Sequence, residues 1–487
     1  MKRFCILAVL LLSAVAVSAQ PKKVSILGDS YSTYQGYNPE GYNPFYPDAH
    51  NDVASVDQTW WSLYIKTMGY QLEKNNSWGG TTICGTGYFR RDVSASNFIS
   101  RVEMLGDPDI IFLFGGTNDA WAGSPVGEYQ YADWTKEDCM NFRPALACLL
   151  DKLQKTYPKA TIYSLLNSEL REEINESMRE VCRHYGVQLI ELKDIEKQNG
   201  HPSIQGMKSI CRQIIAATGY PQPDLSFELW PDGAPSDNGL RGEEKDYGNH
   251  VSNVTRPTLS IFLPEKCNGL ALLVCPGGGY VDVWDKTEGY YNARWYTEQG
   301  LVYAVLKYRL PNGHCEVPME DVHQAMAILK ARADEFGFTK LGIAGCSAGG
   351  HLAATAATHF TTPEERPDFQ VLFYPVISTD PAITHGGSAF YLLGRNPSQA
   401  LLDKYSNEKQ VTANTPPAFI MANSDDGVVP CENSIRYYEA LRANKVPAAL
   451  HIYPVGGHGW ADHVDFPYRD AWMGDLKVWL AALAKAE

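Results

Sequence analysis

The feature that most constrains this sequence is an alternation that occurs twice. Short, mostly apolar runs are separated by longer stretches with helical periodicity. In the first half, residues 24–27, 110–114, 161–166 and 187–192 read as strands, and residues 141–155, 172–185 and 206–217 as helices. The pattern restarts with apolar runs at 258–263, 271–275, 302–306, 341–344, 371–374, 419–422 and 450–453, with helical stretches at 322–336 and 433–443 among them. Such alternation predicts parallel sheets covered by helices on both faces. Between the two series lies Thr218-Gly219-Tyr220-Pro221-Gln222-Pro223-Asp224, a cluster of helix breakers. The expectation is an α/β chain of two three-layer αβα domains, residues 20–217 and 226–487, joined by a linker at 218–225. The halves are not copies of each other. A length of 487 residues suits two or three domains, because a single core stops growing well below that size.

Residues 1–19 read as an address and not as part of the fold. Lys2 and Arg3 precede a short apolar run, and Val17-Ser18-Ala19 supplies the small residues of a signal-peptidase site. The run is shorter than the ~20 residues a spanning helix needs. Cleavage after Ala19, with a secreted or periplasmic mature protein, is therefore expected. No later stretch is apolar enough for a membrane span. Loss of Lys2 and Arg3 takes the formal charge from −14 to −16. Such a protein is repelled by nucleic acid and by anionic membranes, and suits a neutral substrate. The 11 cysteines, 10 after cleavage, show no CxxC pair, and no zinc-type cluster appears. No metal or organic cofactor is expected.

In the second half, Gly345-Cys346-Ser347-Ala348-Gly349 matches G-x-S-x-G at the junction of an apolar run and a helical stretch. A strand-to-helix turn this sharp projects Ser347 Oγ, and the flanking glycines leave it room. Pro276-Gly277-Gly278-Gly279-Tyr280 follows another apolar run. Its amides, those of Gly278 and Gly279, together with the amide of Ala348, can meet a developing oxyanion. Asp425-Asp426-Gly427 and Gly456-Gly457-His458-Gly459 follow later strands. His458 is placed as general base. One aspartate orients it, with Asp426 favoured by its spacing to Val429-Pro430. A serine hydroxyl needs such an imidazole, held in one tautomer by a carboxylate, to become a nucleophile.

From about Phe227 onward this half resembles the acetyl-esterase branch of the α/β-hydrolases. The resemblance rests on Leu229-Trp230-Pro231, the Pro-Gly-Gly-Gly-Tyr loop, Leu306-Lys307-Tyr308-Arg309-Leu310-Pro311, the elbow and Gly-Gly-His-Gly. It departs from the family where Pro276 stands in place of the usual His before the three glycines. The branch implies esters of acetylated xylan or of feruloylated side groups as substrates.

The first half carries four short blocks in order: Gly28-Asp29-Ser30, Trp78-Gly79-Gly80-Thr81, Gly115-Gly116-Thr117-Asn118-Asp119 and Gly200-His201-Pro202-Ser203. Together they resemble the SGNH hydrolases, which implies a flavodoxin-like parallel sheet. Carried over block by block, Ser30 is the nucleophile and His201 the base. Gly80 and Asn118 complete the oxyanion hole with the Ser30 amide, and Gly79 stands as an alternative to Gly80. The family's aspartate three residues before the histidine is Gln198 here. A backbone carbonyl, Gln198 itself or another acid such as Asp194 would then orient the imidazole. Tyr31, Tyr34 and the other aromatics between Ser30 and Trp60 offer either a sugar-stacking platform or simple loop packing.

The combined reading is a bimodular carbohydrate esterase acting on an acylated poly- or oligosaccharide. Two alternatives stand beside it: an acetyl esterase joined to a feruloyl esterase, or one catalytic α/β-hydrolase domain with a non-catalytic, glycan-binding SGNH-like domain.

Overall fold

The structure, a computed structural model, describes residues 21–461 and 466–485, so the expected signal peptide lies outside the described residues. The N-terminal unit contains β1 (Lys23–Gly28), α1 (Trp60–Met68), β2 (Gln71–Ser77), β3 (Ile110–Phe114), α2 (Thr117–Trp121), α3 (Phe142–Thr156), β4 (Thr161–Leu166), α4 (Glu172–Tyr185), β5 (Gln188–Glu191) and α5 (Ile204–Thr218). Among the described residues its sheet runs β2-β1-β3-β4-β5, all parallel. One apolar layer packs α3 and α4 against the sheet, and another packs α1 and α5. Helix α4 shows why the elements form where they do. Glu172 and Glu173 occupy its first turn and Arg183 and His184 its last, matching the helix dipole, and Gly186 closes it in the left-handed conformation.

The C-terminal unit contains β6 (Leu225–Glu228), β7 (Thr258–Phe262), β8 (Leu270–Cys275), α6 (Ala293–Glu298), β9 (Val302–Lys307), α7 (Val317–Ala331), β10 (Lys340–Cys346), α8 (Ser347–Thr358), β11 (Gln370–Phe373), β12 (Ala418–Asn423), α9 (Glu432–Ala443), β13 (Ala448–Tyr453) and α10 (Arg469–Lys485). Its sheet, in the order β13-β12-β11-β10-β8-β9-β7-β6, is mixed. The strands from β13 to β9 are parallel, while β7 runs antiparallel to both β9 and β6. All six residues of β8 are buried, as expected for a central strand covered on both faces.

Two strands of these main sheets are absent from the sequence reading. β2 (Gln-Leu-Glu-Lys-Asn-Asn-Ser) and β6 (Leu-Ser-Phe-Glu) are polar edge strands, which need no continuous apolar run. The helix expected over 322–336 starts earlier, at Val317, and breaks at Arg332 (φ −111°, ψ 13°), whose guanidinium lies 4.5 Å from the Phe227 ring centroid.

Candidate active sites

Both candidate nucleophiles sit at the carboxyl ends of parallel strands, where open α/β sheets place their ligands. In the second unit, β10 runs straight into α8. Ser347 at the junction has φ 53°, a strained value for a non-glycine residue. The flanking glycines are obligatory. A Cβ on Gly345 would stand 2.1 Å from the Gly349 carbonyl oxygen, and one on Gly349 would stand 2.0 Å from that of Cys275. Pairing of Cys275 with Gly345 brings the 276–280 loop beside the elbow.

His458, after β13, has Nε2 2.8 Å from Ser347 Oγ and Nδ1 2.7 Å from Asp426 Oδ2. Asp426 is 8% exposed and also accepts from the amides of Val428 and Val429. Asp425 does different work: its carboxylate accepts from the amides of Gly456 and Gly457 and so pins the loop that carries His458. Those bonds hold it below the usual carboxylate range.

Three neighbours escaped the sequence reading. Glu288 accepts from the Gly277 amide at 2.5 Å and from the Tyr374 hydroxyl at 2.9 Å. Burial raises its carboxyl above the ordinary range. The Gly277 amide is thereby occupied, while Gly278 and Gly279 line the cavity above Ser347. The Tyr374 ring lies 4.7 Å from that of His458. His385 lines the same cavity, and burial lowers its pKa below the ordinary imidazole value. No spacing rule connects these residues to the elbow, so tertiary structure alone reveals them.

In the first unit, Ser30 follows β1 directly. Its neighbour β3 places Gly28 opposite Phe114 and so sets the 115–118 segment beside it. His201 Nε2 lies 2.8 Å from Ser30 Oγ. Its Nδ1 lies 3.0 Å from the carbonyl oxygen of Asn199. Of the open alternatives, the backbone carbonyl is therefore the partner. Gln198 instead bonds Asp52, accepting from its amide at 2.8 Å and donating to its carboxylate at 3.2 Å. Asp194 lines a separate depression with Glu196, Ser209 and Gln213. It has φ 52° and plays no part at His201.

The Asn199 carbonyl and the Asp48 charge both favour the protonated imidazole of His201, against its burial. Burial dominates and pulls the imidazole pKa below its ordinary value. Phe45 lies flat on the His201 ring, with centroids 3.5 Å apart and planes 8° apart. This stacking fixes the imidazole plane and offers a π-face to positive charge.

Asn118 Nδ2 donates to the Thr81 carbonyl, and its Oδ1 accepts from the Tyr88 hydroxyl at 2.8 Å. Tyr88 thus sets the orientation of the side-chain amide. The Gly79 amide donates to the Asn43 carbonyl at 2.8 Å, which favours Gly80 over Gly79 as the exposed donor. Arg101, 2% exposed, braces this region through the carbonyls of Gly28 and Asn76 and the hydroxyl of Thr81. Beside Ser30, burial pushes the Asp29 carboxyl up to about 7.

The aromatic loop requires a correction. Tyr31 has no exposed surface and donates its hydroxyl to the Gly200 carbonyl, so it packs the loop and cannot present a face to a sugar. Tyr34 is half-buried, and its hydroxyl donates to the Ala54 carbonyl. The exposed ring against His201 is Trp121, 46% exposed, with centroids 5.9 Å apart.

Two serine–histidine pairs thus stand at the carboxyl ends of two α/β sheets, one in each domain. Residues 22–218 match the family of GDSL-like lipases and acylhydrolases, and residues 276–462 match the α/β-hydrolase fold family. The chain carries a GDSL-like domain at its N-terminus followed by an α/β-hydrolase domain. It is 37% identical over 245 residues to an acetylxylan esterase of Xylanibacter ruminicola, covering 49% of this chain and 51% of that one. A solved GDSL-like protein from Bacteroides ovatus is 53% identical, covering 41% of this chain and 99% of its own, with a TM-score of 0.41. A solved acetyl ester-xyloside bifunctional hydrolase from Caldicellulosiruptor lactoaceticus is 31% identical, with 55% and 99% covered and a TM-score of 0.46. The chain spans about half the length of the curated relatives it matches.

Proposed function

We propose that this chain is an exported carboxylic ester hydrolase that removes acyl groups, acetyl foremost, from a plant cell-wall polysaccharide such as xylan, through Ser347 and Ser30. The observation that carries the reading is the Ser347–His458–Asp426 chain, with contacts of 2.8 and 2.7 Å. The likeness to an acetylxylan esterase supports the choice of substrate.

At the second site, Ser347 Oγ attacks the ester carbonyl carbon as His458 Nε2 takes the hydroxyl proton. The amides of Gly278, Gly279 and Ala348 hold the tetrahedral oxyanion. Collapse breaks the ester C–O bond. The departing sugar oxygen takes the proton from His458, leaving an acyl-serine. Water repeats the sequence and releases the acid. Asp426 stabilises the imidazolium at each stage.

At the first site, Ser30 and His201 perform the same steps, with Gly80, Asn118 and the Ser30 amide around the oxyanion. The Asn199 carbonyl supplies orientation there without a full negative charge. Two sites on one chain raise the local concentration of the second once the first has engaged a polymer.

The test is acetate release from acetylated xylan by Ser30→Ala, Ser347→Ala and the double variant. Each single variant is expected to retain release with a different product pattern, and the double variant to lose it. Wild-type release by the double variant would overturn the reading, and identical patterns from the two singles would remove the division of labour. Export is checked by locating the mature N-terminus, expected at Gln20, in the periplasm or medium.

A further inference from the structure

The cavity above Ser347, about 580 Å³, is not built by one domain. Gly279, Trp284 and His458 line it from the C-terminal domain. Arg212, Gln213 and Ala216, all on α5 of the N-terminal domain, line it as well. We propose that α5 is one wall of the Ser347 binding site, and that the space between α5 and Trp284 receives the sugar ring that carries the ester. This rests on the esterase reading of Ser347.

The wall is fixed in place. Tyr291 of the C-terminal domain is 2% exposed and belongs to the first domain's buried cluster, which also holds Ile210 and Ile214 of α5. The Tyr220 ring, just beyond α5, stands edge-on to it at 6.5 Å. At a second contact, a Cβ on Gly69 would meet the Arg294 side chain at 3.3 Å. Within the wall, Gln213 is held at both ends, accepting from the Lys193 amide at 2.9 Å and donating to the Lys193 carbonyl at 2.8 Å. Its surface is preorganised before any ligand arrives.

Size and chemistry select the occupant. An acetyl group has three heavy atoms, whereas a cavity of this volume accommodates a ligand several times larger. Among the lining residues, Trp284 is backed by a stack of rings: His250 at 4.5 Å and 16°, then Tyr247 at 4.7 Å and 11° beyond it. That stack braces a flat apolar face against which the C–H surface of a pyranose ring fits. Asn249 and Arg212 add polar groups for its hydroxyls. Tyr247, 58% exposed, continues the stack outward.

The experiment uses the full chain with Ser30→Ala, so that only Ser347 turns over. Activity is measured on 4-nitrophenyl acetate and on O-acetylated xylo-oligosaccharides. Ala216 and Ala217 are both exposed on α5, but only Ala216 lines the cavity. Ala216→Trp is expected to lower the kcat/KM ratio of oligosaccharide to aryl acetate at least tenfold, mainly through KM. Ala217→Trp is expected to leave that ratio within twofold. Trp284→Ala, which opens the cavity instead of filling it, is expected to lower the same ratio. A ratio unmoved by both Ala216→Trp and Trp284→Ala, or lowered equally by Ala217→Trp, overturns the shared wall. Failure of the Ser30→Ala parent on both esters overturns the esterase reading of Ser347, and the wall with it.

Discussion

The two serine sites solve the same problem with different second partners. At Ser347 the imidazole is held by the carboxylate of Asp426. At Ser30 it is held by the Asn199 carbonyl and by Phe45 lying flat on the ring. A carbonyl can fix the tautomer, yet it contributes only a partial charge to the imidazolium that forms during attack. The expected consequence is a stronger base at Ser347 and greater reliance at Ser30 on the oxyanion donors and on substrate binding. Each oxyanion loop also has a glycine amide tied down by a protein acceptor, Gly277 by Glu288 and Gly79 by Asn43, which leaves the next glycine to face the substrate.

The largest effect that would break this comparison is at Asp426. With Ser30→Ala as background, Asp426→Asn should lower kcat on 4-nitrophenyl acetate on the order of 10⁴-fold. A loss under tenfold would mean that the carboxylate matters no more than the carbonyl does. With Ser347→Ala as background, Asn118→Ala should cost about 10²–10³-fold in kcat, the effect of deleting one oxyanion donor. Tyr88→Phe removes only the bond that aims Asn118, so about a tenfold loss is expected, in line with one hydrogen bond; no loss would separate Tyr88 from the site.

The pH profile of kcat/KM sharpens the contrast further. Protonated His201 cannot accept the serine proton, and burial lowers its pKa. Activity in the Ser347→Ala background should therefore persist below pH 6.5 and fall only at more acid values. An acidic limb at or above 6.5 would contradict the burial seen here. The smallest effect is expected at Gln198. Its side chain bonds Asp52 and not the His201 imidazole, so Gln198→Ala in the same background should change kcat less than about threefold, a scale set by a neutral hydrogen bond remote from the reacting atoms.

Both sheets were legible wherever strands are central. The buried runs of β3 and β8, 5 and 6 residues long, read as covered strands because continuous apolar segments that short, bounded by turns, cannot make a helix of ordinary length. The edge strands β2 and β6 were not legible, since one polar side costs them nothing. The elbow was legible because glycine is compulsory at two positions there, and steric exclusion leaves a mark in sequence. The partner of His201 was not, because a backbone carbonyl belongs to every residue and carries no signature. Tyr31 illustrates the converse: its residue type suggested a sugar platform, and burial removed that role.

The sequence by itself determined two α/β units, the order of their chemical blocks, and which serines and histidines were candidates, because local sterics and apolar periodicity are written residue by residue. Only the tertiary structure decided which groups meet. The carbonyl behind His201, the Glu288–Tyr374 brace beneath His458 and the cavity lined by both α5 and Trp284 join residues from about 70 to more than 80 positions apart, or a group common to every residue. Such contacts arise from how packed layers dock, and no local pattern encodes them.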